Sequence, residues 1–212
     1  MSDRSYDDPC GIARALDLVG ERWALLVVRE LLFGPKRFTD LRAGLPTASQ
    51  NVLSHRLKEL EESGVVRRAK LGPPVGASVY ELTDRGYDLR PVIIELAKWG
   101  CHAPTASAAP LSVAALMIAL LTTFSPDLAG DLNATYELRV SGEHFRAAVA
   151  DGHIDITPGR AENPDAVVET DAATLRGIVF GGRGATGEIV SGDERSAVRF
   201  LGLFPRPGVV PG

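Results

Sequence analysis

Ser49, Gln50, Asn51, Ser54, His55 and Lys58 bring six hydrogen-bonding side chains into one short stretch. Amides and hydroxyls of this kind match base edges, and cations match phosphates. At 100° per residue, Asn51, His55 and Lys58 point away from an apolar stripe of Leu53, Leu57 and Leu60. Gln50, Ser54 and Arg56 flank that stripe. A solvated helix more often carries Glu/Lys pairs there, so by itself the stretch suits a DNA recognition helix or a plain surface helix. The flanks decide. Arg56 with Lys36, Arg37, Arg67, Arg68 and Lys70 is suited to holding phosphate. From Lys36 to Lys70, eight Lys/Arg stand against four Asp/Glu, a local basic excess in a chain of net charge −4.

Other chemistry is thinner. Cys10 and Cys101 could act as a sensing and a resolving thiol, with Cys101 meeting Cys10 of another subunit; the alternative is two idle thiols. The four histidines, His55, His102, His144 and His153, lack metal-ligand spacing. No metal and no cofactor are expected. Gly181-Gly-Arg-Gly184 has no following Gly-Lys-Ser/Thr and reads as a turn. No Ser/His/Asp order or paired carboxylates stand in a catalytic context, so the chain is not expected to be an enzyme.

The candidate residues need elements to position them. Thr47 and Gln50 have capping-box spacing, and Gly64 can close a helix, which sets one amphipathic helix over residues 47–64. A short helix beginning near Phe38 and the turn 43–46 precede it, the helix-turn-helix order. Residues 65–70 and 78–82 read as strands around the breaker run 72–76, a hairpin with basic residues on its first arm. Upstream, residues 10–19 form a helix with Ile12, Ala15, Leu16 and Val19 on one face. Residues 22–33 form a very apolar core helix, ended by Gly34-Pro35. Thr83 caps a long apolar helix through Trp99, which Pro91 kinks or splits. A long apolar helix after a small domain usually needs a partner. The first helix and this one are therefore expected to form a homodimer surface, the alternative being packing onto the C-terminal half.

The run Cys10 to Trp23, then Leu31-Leu-Phe-Gly-Pro35, Arg37-Phe38, Leu41-Arg42, Ser49-Gln50, Leu53, Arg56-Leu57, Leu60, Gly64 and Leu82-Thr83, resembles the HxlR-type branch of the MarR-like winged helix-turn-helix regulators. The resemblance covers about residues 8–102. It implies a dimeric, sequence-specific regulator of transcription that binds double-stranded operator DNA. Cys10 sits where many such regulators carry a cysteine, some of them thiol redox sensors.

The C-terminal half follows another pattern. Residues 103–110 have linker composition, which sets domains at 1–102 and 111–212. Residues 112–124 form an apolar helix. Three strands then alternate around Tyr136, Leu138, Val140, around Phe145, Ala147, Val149 and around Ile154, Ile156. A fourth strand over 165–169, a helix capped by Asp171, a fifth strand near 187–191 and a last helix after Asp193 complete it. This order resembles the sterol-carrier-like (SCP2-like) fold. The fold class is thus α+β: a winged helix-turn-helix domain followed by an antiparallel sheet covered by helices. The resemblance implies an apolar tunnel, and Leu116, Leu120, Phe124, Leu175, Val179 and Phe200 are the expected walls for a hydrophobic small-molecule ligand that adjusts DNA affinity; the alternatives are a filled core that widens the dimer or binds a protein, and a lipid carrier whose winged helix serves only dimerisation.

At 212 residues the chain suits two domains. Residues 1–104 carry 15 Lys/Arg and 14 Asp/Glu, whereas residues 105–212 carry 8 and 13, so the acidic half is a poor candidate for touching DNA. The polar start does not resemble a signal peptide, and the longest apolar stretch falls short of the ~20 residues that span a bilayer. A cytoplasmic protein away from membranes is expected.

Overall fold

The computed structural model describes residues 5–72, 76–104, 107, 109–184 and 189–206. The chain divides into two compact units, Met1–Ile93 and Ile94–Gly212. In the first stand α1 (Gly11–Val19), α2 (Ala24–Leu31), α3 (Phe38–Gly44), α4 (Gln50–Glu62), β1 (Val66–Lys70), β2 (Ser78–Leu82) and α5 (Asp84–Tyr87). The division falls inside α6 (Arg90–Gly100). The core of this unit is Val27, Val28, Leu31, Leu41, Leu53, Leu57 and Leu60, all fully buried, with Val66, Val79 and Leu82 from the hairpin.

Two local details differ from the sequence expectation, the cap of α4 and the start of the core helix. The N-cap of α4 is Ser49, whose hydroxyl accepts from Val52 N–H at 3.3 Å. Thr47 is part of the preceding turn, where Ala48 N–H donates to the Leu45 carbonyl at 3.0 Å and Ala48 is buried. The helix cannot begin until that turn is complete. The core helix starts at Ala24 because Trp23 takes a left-handed backbone, φ 79°. Pro91 splits the long helix: Thr83 caps α5, and Pro91 sits in the first turn of α6, where its missing N–H removes no helical bond. Gly64 closes the turn after α4 with φ +71°, as its position predicts.

The second unit holds α7 (Val113–Thr123), α8 (Pro126–Ala129), β3 (Ala134–Val140), β4 (Glu143–Ala150), β5 (His153–Pro158), β6 (Ala166–Thr170), α9 (Ala172–Gly181), β7 (Ile189–Gly192) and α10 (Glu194–Leu201). Strands β3, β4 and β5 form the expected meander, and the sheet order is β5-β4-β3-β6-β7. The sheet is mixed, which corrects the antiparallel expectation: β6 pairs with β3 in parallel, Tyr136 opposite Ala166. In sequence β4 and β5 lie between these two strands, and the chain passes through them before returning to the other edge of β3, the long connection that parallel strands require. Residues 187–188 of the expected fifth strand, residues 73–75 of the breaker run, and residues 105, 106 and 108 of the expected linker lie outside the described residues.

One face of this sheet is the core. Tyr136, Leu138 and Val140 are fully buried, and the Tyr136 ring stacks on Phe200 of α10 with centroids 4.3 Å apart. The other face buries Glu137, at 4 % exposure. Burial alone would raise its carboxyl pKa. Hydrogen bonds from Arg139 (2.8 Å) and His144 (2.9 Å) outweigh that and hold it below the usual carboxylate range.

Candidate nucleic-acid interface

Helix α4 buries its leucine stripe and exposes most of its polar side chains, with Val52 exposed and Arg56 buried as exceptions. Leu53, Leu57 and Leu60 are buried against α2 and β1, while Gln50, Asn51, Ser54, His55 and Lys58 are exposed. Ser49 is exposed as well, with its hydroxyl engaged at the cap. Two of the outward groups have acidic neighbours one turn on. His55 Nε2 is 3.2 Å from Glu59, and Lys58 is 3.7 Å from Glu62. Exposed pairs of this kind contribute ~0–1 kcal/mol, so a phosphate can displace either carboxylate.

Arg56 departs from its expected role. It is 8 % exposed and turns inward. Its Nε donates to the Arg22 carbonyl at 3.1 Å, and its terminal nitrogens reach Glu59 and, at 3.4 Å, Glu21. It is a strut between α4 and the segment ahead of α2. The cause is position: i+3 from Leu53 and adjacent to Leu57, it shares the buried side of the helix. Lys36 departs in the same way. Its ammonium is 3.8 Å from the fully buried Glu30, and its backbone makes two hydrogen bonds with Tyr80, a short third rung beside the hairpin. Arg37 is exposed at the start of α3, where its N–H donates to the Asp40 carboxylate at 3.2 Å.

The hairpin supplies the remaining cations. Arg67 lies opposite Glu81 and pairs with it at 2.7 Å while 66 % exposed. Arg68 sits over the Tyr80 ring at 5.3 Å and reaches Glu61 at the end of α4 at 3.3 Å. Lys70 stands exposed at the strand end. Thus α4 and the hairpin present Gln50, Asn51, Ser54, His55, Lys58, Arg67, Arg68 and Lys70 to solvent, and the structure withdraws Arg56 and Lys36 into support.

Sequence reasoning missed the carboxylates that do the supporting. Glu30 ties Arg29 (2.7 Å) and Lys36 together inside the unit. Its signal was available: a single acid in a core helix otherwise apolar on that face. Glu21, the partner of Arg56, gave no such signal, being one charge in a polar turn.

Cys10 is an exposed free thiol ahead of α1. Cys101 is half-buried, with its thiol 3.0 Å from the Lys98 carbonyl. Leu116, Leu120, Leu175 and Phe200 are at most 1 % exposed and belong to the core of the second unit. Phe200 packs between Tyr136 and Phe204, and Phe124 lies 6.2 Å from Phe204. Val179 borders an open surface hollow of about 430 Å3 with Leu201 and Phe204. Among the described residues no group of His, Cys, Asp or Glu could hold a metal ion, and no helix is long and apolar enough to cross a membrane.

The model of the HxlR-like helix-turn-helix family matches residues 18–107. The chain is 44 % identical over 86 residues to an uncharacterised HTH-type transcriptional regulator, YvaP, of Bacillus subtilis, covering 41 % of this chain and 80 % of that one. It is 39 % identical over 85 residues to the HTH-type transcriptional regulator YodB of the same organism, covering 40 % and 76 %. The quinone-bound YodB structure from B. subtilis superposes with a TM-score of 0.37 at 36 % identity, over 42 % of this chain and 93 % of that one.

Proposed function

From the premise that this chain belongs to the HxlR-like helix-turn-helix family, we propose that it regulates transcription as a homodimer reading a two-fold operator with α4 and the hairpin. The observation that carries the reading is the division of α4: its Leu53, Leu57 and Leu60 stripe is buried, and its exposed side carries two amides, a hydroxyl, an imidazole and an ammonium beside Val52 and Glu62. Such a surface reads base edges in the major groove, with half-sites about one helical turn apart. No catalytic step is part of this reading.

The test is a titration of the full chain against the DNA upstream of its own coding sequence over a series of salt concentrations. An Arg67→Ala/Arg68→Ala variant is expected to bind all sequences more weakly. Its salt slope should be shallower by about 0.9 for each phosphate that the hairpin no longer neutralises. The ion pairs of these arginines with Glu81 and Glu61 are exposed and do not outweigh a phosphate. An unchanged slope removes the hairpin from the interface.

Support for the dimer comes from apolar side chains left in solvent. Ile12 of α1 is 72 % exposed, and Val92, Leu96 and Trp99 form one exposed stripe on α6, Trp99 at 77 %. Trp99→Asp is expected to shift the protein from dimer to monomer in sedimentation velocity at micromolar concentration. A wild-type chain that sediments as a monomer there overturns the dimer itself. The second unit's helix-covered sheet supports its sterol-carrier-like resemblance.

A further inference from the structure

Val52 is the apolar exception on the solvent side of α4. It stands in the first turn of the helix and is 39 % exposed. It follows Asn51 directly, and His55 lies one turn on, about 60° away around the helix. Both neighbours are exposed polar groups. The core has no place for this valine, because the buried stripe is already complete with Leu53, Leu57 and Leu60. A long side chain at i+4 can lay its stem over an apolar neighbour. The residue there is Arg56, and it turns inward to the Arg22 carbonyl, Glu59 and Glu21 instead. Helix stability does not account for the valine either. A β-branched side chain loses rotamer freedom in a helix, and alanine at this exposed position would favour α4 more.

The major groove presents one apolar group, the C5 methyl of thymine. That methyl distinguishes thymine from cytosine and has no hydrogen bond to make with the amides, hydroxyl, imidazole or ammonium of α4. A branched apolar side chain suits it. We propose that Val52 reads the methyl group of one thymine in each operator half-site, an apolar determinant beside the polar ones of Gln50 and Asn51. The assignment rests on the DNA-binding reading of α4. The contact removes the two apolar groups from water together. Its scale is that of about one buried methylene group, roughly fourfold in affinity for each half-site. Apolar contact is non-directional, so it tolerates a small shift of the helix that a bidentate pair does not.

The experiment uses the full chain and the operator found in its upstream DNA. Thymines are replaced by deoxyuridine, one symmetric pair at a time. Deoxyuridine lacks only the C5 methyl and keeps the base pair and every hydrogen-bonding atom. At one such pair the replacement is expected to weaken wild-type binding about fourfold per half-site. Val52→Ala should lose the same factor on the thymine operator, and deoxyuridine at that pair should cost the variant nothing more, because the contact is already gone. Alanine keeps the Val52 N–H that bonds the Ser49 cap and raises helix propensity, so its loss of affinity is not a loss of folding. An effect of deoxyuridine on DNA shape would persist in the variant. Three results each overturn the assignment: wild-type affinity that no deoxyuridine pair changes, Val52→Ala affinity equal to wild type, or a variant as sensitive as wild type to every pair. A wild-type chain that binds no operator fails the DNA-binding reading itself, and the assignment falls with it.

Discussion

Arg56→Ala is expected to lower the melting temperature of the N-terminal unit by about 10–20 °C. Removing one partner of a buried ion pair costs ~3–5 kcal/mol. Here the partners are partly wet, with the Glu21 side chain 44 % and Glu59 23 % exposed, which reduces the figure to about 2–3 kcal/mol. In a domain of this size each kcal/mol moves the midpoint by ~4–8 °C. Arg56→Lys should restore only part of the loss, because an ammonium cannot serve two carboxylates and a carbonyl in one plane as a guanidinium does. Thermal unfolding followed by the fluorescence of Trp23, two residues from Glu21, gives the measurement. A phosphate ligand at this position would behave differently, leaving the midpoint alone and flattening the salt dependence of DNA binding. A normal melting curve for the alanine variant would return Arg56 to that role.

Gln50→Ala combined with Asn51→Ala is expected to abolish most of the preference for the operator over unrelated DNA. Each side chain that makes a bidentate pair with a base contributes ~1–3 kcal/mol of discrimination, so removing two reduces the specificity ratio about a hundredfold. The helix itself should survive. Its cap is Ser49, untouched by the change, its buried stripe is Leu53, Leu57 and Leu60, and alanine favours helix. Lys58→Ala provides the contrast, since removing a cation that holds phosphate weakens operator and unrelated DNA alike. Competition titrations with both DNAs separate the two patterns. A double variant that keeps the wild-type ratio moves base reading off the start of α4.

The outward face of α4 was legible because helical period and apolar pattern agree: once Leu53, Leu57 and Leu60 are buried, Asn51 and Lys58 have nowhere to point but solvent. The hairpin was legible for a similar reason, with strand residues on both sides of a Gly/Pro run. Arg56 and Lys36 were not. A long cationic side chain beside a buried stripe or between two helices can turn either way, and carboxylates elsewhere in the chain, Glu21 for Arg56 and Glu30 for Lys36, help to hold it inward. Apolar composition counts the side chains of the C-terminal half but not how they interlock, as Phe200 does by stacking on Tyr136. The start of α4 was misread by two residues because Thr47 and Ser49 both have capping side chains, and only the turn closed at Ala48 decides between them.

The parallel pairing of β3 with β6 also sets an order of events as the C-terminal unit folds. β3, β4 and β5 are joined by tight turns and can pair as soon as residue 158 has been synthesised. The remaining edge of β3 then stays bare until residue 170 follows, because its partner there lies 30 residues on, Tyr136 with Ala166. Closing that larger loop is the slower step. During the interval the chain exposes a row of unpaired backbone groups, and the Tyr136 ring lacks Phe200 until α10 arrives. A nascent or truncated chain ending between residues 158 and 170 is therefore the form in which this protein is most prone to aggregate. Amides of the β3–β4 pair should gain protection in pulse-labelled hydrogen exchange before those of β6, and simultaneous protection would remove the interval.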